Sequence, residues 1–257
     1  MRTAGIDIGS RTVKLAILED GRLRAARKRE NSFDPLAVCR ELLDGERFDR
    51  MVATGYGRHL FAREIAARTV SELTAAATGA RWLLPSCRTV IDIGGQDTKA
   101  LSLDDSGRLL RFEMNDKCAA GTGRFLEVIA LALAARVSEF GALAASAAGS
   151  CPVSSTCTVF AESEVVSLIA RGVPRNQIAL GVTESIALRA ASLAHKAGVF
   201  PDVLFTGGVA LNPAVQRALE ARLHVAVQVP DDPQIVTAIG CALLAASSPA
   251  DLDASPA

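Results

Sequence analysis

The chain has 257 residues, enough for one large domain or for two compact domains around a cleft. Its 28 basic and 28 acidic residues cancel, so charge gives no reason to expect a nucleic acid or an anionic membrane as a partner. Apolar residues make up 49% and aromatic residues only 4%, which favours closely packed helices on sheets over an aromatic-rich β-sandwich.

The opening residues predict a three-stranded meander. Alternating β-branched and apolar residues predict strands over 3–8, 12–18 and 23–28. Helical periodicity follows over 35–43, then a strand over 50–53, a turn framed by Gly55 and Gly57, and a helical run through Trp82. Since no signal-peptide pattern precedes the first strand, we expect a cytoplasmic protein.

The second part of the chain opens in the same way. Strands are predicted over 89–93, 98–103 and 109–114, helices over 123–135, 159–171 and 178–197, a strand over 203–206 and a last helix over 237–246. The uncharged stretch 140–161 is long enough to cross a bilayer, but its small polar residues and Pro152 predict a buried segment. We therefore expect no membrane partner.

A repeated register supports an internal duplication. Asp7, Gly9 and Lys14 recur as Asp92, Gly94 and Lys99, each displaced by the same number of residues. We expect a first domain over 1–86 and a second over 87–234. The last helix, within 235–247, should pack back on the first domain, ahead of a disordered tail over 248–257.

Each copy ends a strand with an aspartate followed by a glycine turn. Such turns let backbone N–H groups approach phosphate oxygens, while the carboxylate holds Mg²⁺ through water. The predicted phosphate loops are Gly9, Ser10, Arg11 and Thr12 with Lys14, and Gly94, Gly95, Gln96 and Asp97. Asp7 and Asp92 are the expected Mg²⁺ carboxylates, and Gln96 is the candidate for orienting the attacking water. Gly207 and Gly208, after the late strand, are placed to admit a nucleoside.

This order of motifs resembles the two phosphate motifs and the adenosine motif of actin-like ATPases, chaperone ATPases, and sugar and acetate kinases. The strings are Asp7-Ile8-Gly9-Ser10, Asp92-Ile93-Gly94-Gly95 and Thr206-Gly207-Gly208. The resemblance implies an α/β fold of two ribonuclease-H-like domains around an ATP cleft. It implies ATP or ADP with Mg²⁺ as the ligand.

Two of the six cysteines stand just before predicted helices. They are Cys118 and Cys157, and the chain has no C-x-x-C pair that would indicate a zinc ribbon. A thiolate near a helix N-terminus is stabilised by the helix dipole and ligates metal well. Two thiolates do not complete a four-thiolate cluster, but a twofold dimer supplies four and would share one 4Fe-4S cluster.

The cysteine segments also resemble one family closely. The strings N-D-K-C-A-A-G-T-G-R-F-L and S-S-T-C-T-V-F-A-E-S-E-V are similar to those of ATPase activators of 2-hydroxyacyl-CoA dehydratases and of benzoyl-CoA reductase ATPase subunits. The resemblance implies one 4Fe-4S cluster per dimer on Cys118 and Cys157, and a nucleotide site that includes Gly121, Thr122 and Gly123. Cys151 departs from that pattern. It could be a third ligand of the cluster or a residue of the packed interior, and both interpretations stay open.

The resemblance implies an ATP-dependent activator that passes single low-potential electrons to a CoA-ester dehydratase or reductase. Nucleotide state would set the angle between the domains, and a ferredoxin or flavodoxin would be the donor. Membership of a benzoyl-CoA reductase complex is the alternative, and the choice between homodimer and heterodimer stays open. A small-molecule kinase and an actin-like scaffold ATPase are more remote, because neither gives the cysteines a purpose.

Overall fold

The computed structural model describes residues 1–65, 67–153 and 157–247. The tail predicted over 248–257 and the residues just before Cys157, 154–156, lie outside the described residues. The chain divides into two compact units. The first unit comprises Met1–Ser86, Asp105–Leu109 and the chain from Gln234 on; the second comprises Cys87–Asp104 and Leu110–Pro233.

The first unit contains a five-stranded sheet of order β3-β2-β1-β4-β5. Its strands are β1 (Arg2–Ile8), β2 (Thr12–Glu19), β3 (Arg22–Glu30), β4 (Arg50–Thr54) and β5 (Arg68–Thr69). The first three form an antiparallel meander, whereas β4 runs parallel to β1. Nearly all of β1 is buried, while the edge strand β3 is almost wholly exposed and rich in arginine. Charged side chains on an edge strand disfavour pairing with another sheet.

Four helices of the first unit lie within the described residues. They are α1 (Pro35–Leu43), α2 (Arg58–Glu64), α3 (Glu72–Leu83) and α9 (Val236–Ala246). The prediction of one helical run through Trp82 is wrong, because β5 separates α2 from α3. The Val70 N–H donates to Ala53 O at 3.1 Å, which ties this stretch to β4. Ser71 then starts α3 by accepting a hydrogen bond from the Thr74 N–H.

Helix α9 packs on β1 and α3 at backbone contact. A Cβ at Gly5 would lie 2.1 Å from Ala238 O, and a Cβ at Gly240 would lie 1.8 Å from Ala75 O. A Cβ at Gly79 would lie 2.0 Å from Val236 O. Only glycine fits at these three positions, so the last helix lies directly behind the strand that carries Asp7.

The second unit has a sheet of order β10-β9-β6-β7-β8. Its strands are β6 (Thr89–Ile93), β7 (Thr98–Leu103), β8 (Leu109–Asn115), β9 (Val203–Thr206) and β10 (Val227–Gln228). Its helices are α4 (Gly123–Ala132), α5 (Val137–Ala145), α6 (Thr158–Ala170), α7 (Arg175–Ala197) and α8 (Pro213–Leu223), with a 3₁₀ turn at Gly208–Leu211. Elements α5, α8 and β10 were not predicted from the sequence. Phe125, Phe140 and Phe205 lie in the core, each fully buried.

The two sheets have the same topology. In each, a meander is followed by two strands parallel to its first strand. Asp7 pairs in register with Lys14 and Asp92 with Lys99, while Thr54 and Thr206 are the parallel neighbours of the two aspartates. The predicted α/β fold with duplicated ribonuclease-H-like sheets is therefore confirmed.

Within the described ranges, no single helix has the length and apolar character needed to cross a membrane. Helices α4 and α5 meet those criteria only as a pair, and the pair is bent by 75°.

Candidate functional site

The first predicted phosphate loop starts from a buried carboxylate at the end of β1. Asp7 is 4% exposed, and Lys14 Nζ lies 2.9 Å from its Oδ2. Its Oδ1 is buried and has no hydrogen-bond partner among the described residues. Because an unsatisfied buried carboxylate oxygen is costly, this atom is fitted to a ligand that brings its own donors, as the water shell of Mg²⁺ does.

The turn after Asp7 is closed around Gly9. The Gly9 N–H donates to Thr12 O at 3.1 Å, and a Cβ at Gly9 would lie 3.1 Å from Lys14 Nζ. Asn31 Nδ2 donates to Gly9 O at 2.7 Å and fixes the loop from the side. Ser10 is half-buried and Arg11 exposed at the tip. Sequence reasoning missed Asn31, because its partner Gly9 lies far away in the sequence, in the turn between β1 and β2.

The second loop repeats this turn. The Gly94 N–H donates to Asp97 O at 2.9 Å, and a Cβ at Gly94 would lie 2.5 Å from Asp97 Oδ1. The Asp97 carboxylate is held by Lys99 Nζ at 2.7 Å, and both side chains are buried. Asp97 therefore supports the loop from below, whereas Gln96 is exposed at its tip. Gly95, which precedes Gln96, is half-buried.

The aspartate of the second unit has a hydroxyl partner. Asp92 is 8% exposed, and its Oδ2 accepts a hydrogen bond from Thr206 Oγ1 at 3.1 Å. The corresponding Thr54 in the first unit donates instead to Val70 O at 2.9 Å. The threonines beside the two carboxylates thus stand in equivalent positions of the fold but donate to different acceptors.

A Thr-Gly turn lies beside each aspartate. Gly55 and Gly207 both have φ of +86°. A Cβ at Gly55 would lie 2.7 Å from Asp7 Oδ1, and a Cβ at Gly207 would lie 2.8 Å from Asp92 Oδ1. Both turns require glycine because of the left-handed backbone and this close approach. Sequence reasoning assigned Gly207 and Gly208 to the nucleotide site but gave Gly55 only a turn role, although the internal repeat relates the two positions.

The start of α4 is hydrogen-bonded to the second phosphate loop. The Gly123 N–H donates to Gly94 O at 2.9 Å, and the Arg124 N–H donates to Gly95 O at 2.8 Å. A Cβ at Gly123 would lie 3.1 Å from Gly94 O. Thr122 is fully buried as the N-cap of α4. The structure therefore places Gly121, Thr122 and Gly123 directly beside the second loop.

The loop before α4 carries the first candidate metal ligand. Cys118 is half-buried, and Asn115 Nδ2 donates to its carbonyl oxygen at 2.8 Å. It lies four residues before the N-cap Thr122, because the chain turns at Gly121 with φ of +85° before α4 begins. Cys118 is therefore a loop residue and not the first residue of a helix. Cys157, also half-buried, is the N-cap of α6.

The remaining cysteines differ in exposure. Cys39, Cys87 and Cys241 are buried. Burial raises the pKa of Cys39 to about 12 and raises the pKa of Cys241 well above its usual value. These two thiols stay protonated at neutral pH and are poor metal ligands. Cys151 is half-buried, and its N–H donates to Gln177 O at 3.0 Å.

A four-thiolate cluster is not assembled by one chain in the part that the structure describes. No three His, Cys, Asp or Glu side chains of the described ranges group closely enough to hold a metal ion. Cys118 and Cys157 fit a thiolate-ligated cluster in donor type and accessibility, but they supply two of the four ligands.

A sequence model of the BadF/BadG/BcrA/BcrD ATPase family matches residues 4–245. The chain belongs to this family. Among other members, it is 46% identical over 254 residues to the activator of lactoyl-CoA dehydratase from Anaerotignum propionicum, covering 95% of this chain and 97% of that protein. It is 33% identical to a benzoyl-CoA reductase component from Thauera aromatica, covering 94% and 92% of the two chains. The resemblance predicted from the cysteine and phosphate motifs is confirmed.

Solved structures place this BadF/BadG/BcrA/BcrD ATPase in the same fold. The activator of 2-hydroxyisocaproyl-CoA dehydratase from Clostridium difficile, with bound ADPNP, aligns with a TM-score of 0.88 at 42% identity, over 95% of this chain and 94% of that one. Component A of (R)-2-hydroxyglutaryl-CoA dehydratase from Acidaminococcus fermentans aligns with a TM-score of 0.89 at 41% identity, over 95% and 97%. A ROK family glucokinase from Streptomyces griseus, at 16% identity, a TM-score of 0.59 and coverage of 95% and 99%, shows the fold alone.

Proposed function

We propose that this chain is an ATP-dependent activator that delivers single low-potential electrons to a 2-hydroxyacyl-CoA dehydratase or a related CoA-ester reductase. ATP is hydrolysed to ADP and phosphate, and one electron from a ferredoxin or flavodoxin is passed on for each reduction of the partner. We propose that it works as a homodimer in a reducing cytoplasm. The names of the relatives support a CoA-ester dehydratase as the partner.

One observation carries the coupling of ATP to electron transfer. The same short segment, from Asn115 to Arg124, bears Cys118 at one end and is hydrogen-bonded to the second phosphate loop at the other. The carbonyls of Gly94 and Gly95 accept from the start of α4, so a shift of this loop must shift α4 or break both bonds. A change in phosphate occupancy is thus transmitted to the Cys118 loop within one unit.

The chain's residues supply the nucleotide chemistry as follows. Asp7 and Asp92 would hold the water shell of Mg²⁺, and Lys14 keeps the Asp7 carboxylate oriented through its 2.9 Å contact. The loops at Gly9, Ser10, Arg11 and Thr12, and at Gly94, Gly95, Gln96 and Asp97, would bind phosphates, with Gly121, Thr122 and Gly123 behind the second loop. Gln96, exposed at the tip, would orient the attacking water. Gly207 and Gly208 would border the nucleoside.

Cys118 and Cys157 would hold one 4Fe-4S cluster together with the same residues of a second copy. When bound, such a cluster supplies a one-electron carrier of low potential. Of the other thiols, Cys39 and Cys241 are excluded by burial and raised pKa. The Cys151 backbone is tied to α7 through Gln177, which favours a packing role over a third ligand.

Benzoyl-CoA reductase is the second candidate partner, supported by the 33% identity to the benzoyl-CoA reductase component from Thauera aromatica. That role would pair this chain with a related chain instead of a second copy. A kinase or a scaffold ATPase on the same fold is less favoured, since neither uses Cys118 or Cys157.

The proposal is tested with protein purified without oxygen. We expect a brown protein that hydrolyses ATP slowly with Mg²⁺ and that, once reduced, transfers electrons to a dehydratase from the same genome only when ATP is present. With a non-hydrolysable analogue in place of ATP, no transfer beyond a single electron per activator dimer is expected. A colourless chain that polymerises with nucleotide, or one that phosphorylates a small molecule, would contradict the proposal.

A further inference from the structure

The threonines beside the two aspartates of the duplicated fold donate their hydroxyl hydrogen bonds to different acceptors. Thr54 and Thr206 occupy the same register position, each beside the aspartate on the adjacent parallel strand. Only Thr206 turns its hydroxyl to the carboxylate, with Oγ1 3.1 Å from Asp92 Oδ2, whereas Thr54 Oγ1 donates to Val70 O. The duplication therefore provides its own comparison for this one hydrogen bond.

The geometry suits Thr206 for orienting a charge. The side chain is fully buried on β9, and its β-branched Cβ restricts its rotamers, so the hydroxyl is held where the strand places it. A hydrogen bond to an ionised carboxylate is roughly twice as strong as one between neutral groups. Gly207, the next residue, lies so close to Asp92 Oδ1 that a Cβ there would be 2.8 Å from this oxygen. Thr206 thus contacts Oδ2 and Gly207 lies against Oδ1, so one turn limits the movement of both carboxylate oxygens.

We propose that Thr206 is a positioning residue of the nucleotide site, whose hydroxyl holds the Asp92 carboxylate in the orientation that receives the hydrated Mg²⁺ of Mg-nucleotide. The inference rests on the proposed function in that it takes Asp92 as a Mg²⁺ carboxylate. It assigns to Thr206 a task that Lys14 performs for Asp7 in the first unit. Thr206 then contributes to metal-dependent affinity without touching the nucleotide.

The test measures the binding of ADP to the holo dimer by calorimetry, once with Mg²⁺ and once with EDTA. We define the Mg²⁺ increment as the Kd measured with EDTA divided by the Kd measured with Mg²⁺. A larger increment means that Mg²⁺ strengthens binding more. For Thr206→Val we expect the increment to fall about tenfold while the Kd in EDTA is unchanged, as for the loss of one hydrogen bond to a charged group. Thr206→Ser, which keeps the hydroxyl, should restore the increment.

Thr54→Val is the matched control, because it removes a buried hydroxyl at the same register position that donates to a main-chain carbonyl. It should leave the increment unchanged. An increment retained by Thr206→Val, or an equal loss in Thr54→Val, would overturn the inference. So would a Kd that rises by the same factor with Mg²⁺ and with EDTA.

If the Thr206→Val chain does not fold, a second pair of variants tests the inference. Thr206→Ala leaves room for a water molecule in place of the side chain. We expect it to lower the Mg²⁺ increment when Asp92 is present, and to cause no further loss of the increment in a chain that already carries Asp92→Asn. Equal losses in both backgrounds would overturn the inference. A parent chain that binds no nucleotide contradicts the proposed function itself, whereas Mg-nucleotide binding that is indifferent to Thr206 contradicts this inference alone.

Discussion

The glycines of the two phosphate loops differ in how much space surrounds them. A Cβ at Gly9 would lie 3.0 Å from Thr12 O, while a Cβ at Gly94 would lie 2.5 Å from the Asp97 carboxylate. Since Asp97 is paired with buried Lys99, it cannot swing away cheaply. The second loop is thus the less tolerant of the two, although both have the same turn.

We therefore expect Gly94→Ala to reduce nucleotide affinity by more than tenfold and Gly9→Ala to reduce it less. Gly94→Ala should also lower the free energy of unfolding, by about 1–3 kcal/mol for an overpacked site. Calorimetry with Mg-ADP and thermal unfolding are the measurements. Gly149→Ala, where a Cβ meets nothing within 4 Å, is the control. Parent-like affinity in a folded Gly94→Ala chain would remove the phosphate-loop assignment.

At the scale of single elements, α9 packs against α3 at backbone contact. Gly240 and Ala75 meet with no room for a methyl group, since a Cβ at Gly240 would lie 1.8 Å from Ala75 O. The helices can accommodate Gly240→Ala only by separating. Because α9 also lies on β1, such a separation loosens the strand that presents Asp7.

Gly240→Ala should cost about 3 kcal/mol of unfolding free energy through overpacking. In a chain of this size, that corresponds to a fall in Tm of roughly 6–12 °C. Differential scanning calorimetry of the nucleotide-free protein checks it, with Gly149→Ala as the unstrained glycine replacement. A Tm within 2 °C of the parent, on the order of the change from 1 kcal/mol or less, would show that α3 and α9 are less closely packed than described.

The strands were predicted better than the helices, for identifiable reasons. The buried strands β6 and β7 were predicted with the bounds that the structure has, because apolar and β-branched runs ended at glycine turns. Helix α5 was missed because its stretch has few charges to mark a solvent face. Helix α8 was missed although Asn212 and Pro213 form a standard helix start, with Asn212 Oδ1 accepting from the Ala214 N–H.

The residues of the candidate site also differ in how well the sequence predicted them. The sequence predicted Asp7, Gly9, Asp92 and Gly94, because the same Asp-x-Gly motif recurs in both copies of the repeat. Thr206 as a partner of Asp92, and Asn31 as a partner of Gly9, depend on strand pairing over long sequence separations. The role of each residue in nucleotide and metal binding stays a prediction until it is measured.

At the scale of the whole molecule, ligand number sets the expectation for the cysteines. With two thiolates per chain, a dimer fills the four sites of one cubane cluster, about four irons per dimer. Cys118→Ala and Cys157→Ala each remove two of the four ligands at once. We expect either change to abolish bound iron and to weaken the dimer.

Iron content, anaerobic visible absorption and size measured on each single variant test this expectation. Cys39, Cys87, Cys151 and Cys241 replaced singly by serine or alanine should keep the iron, and Cys151→Ala is the closest control because this thiol is also half-buried. Full iron in Cys118→Ala would show that the wrong thiol was chosen. Four irons in an isolated monomer would contradict the shared cluster.

The hydrogen bonds between α4 and the second loop also fix the direction of the loop's own peptide planes. The carbonyls of Gly94 and Gly95 point to α4, because they accept from the Gly123 and Arg124 N–H groups. In a planar trans peptide the N–H points opposite to the carbonyl, so the amide hydrogens of Gly95 and Gln96 face away from the helix. Two adjacent amide donors that face the same side of the loop are suited to bind an anion. We predict that a phosphate at this loop would meet both amide hydrogens already turned toward it, so that nucleotide exchange could move the loop and α4 together without redirecting these peptides.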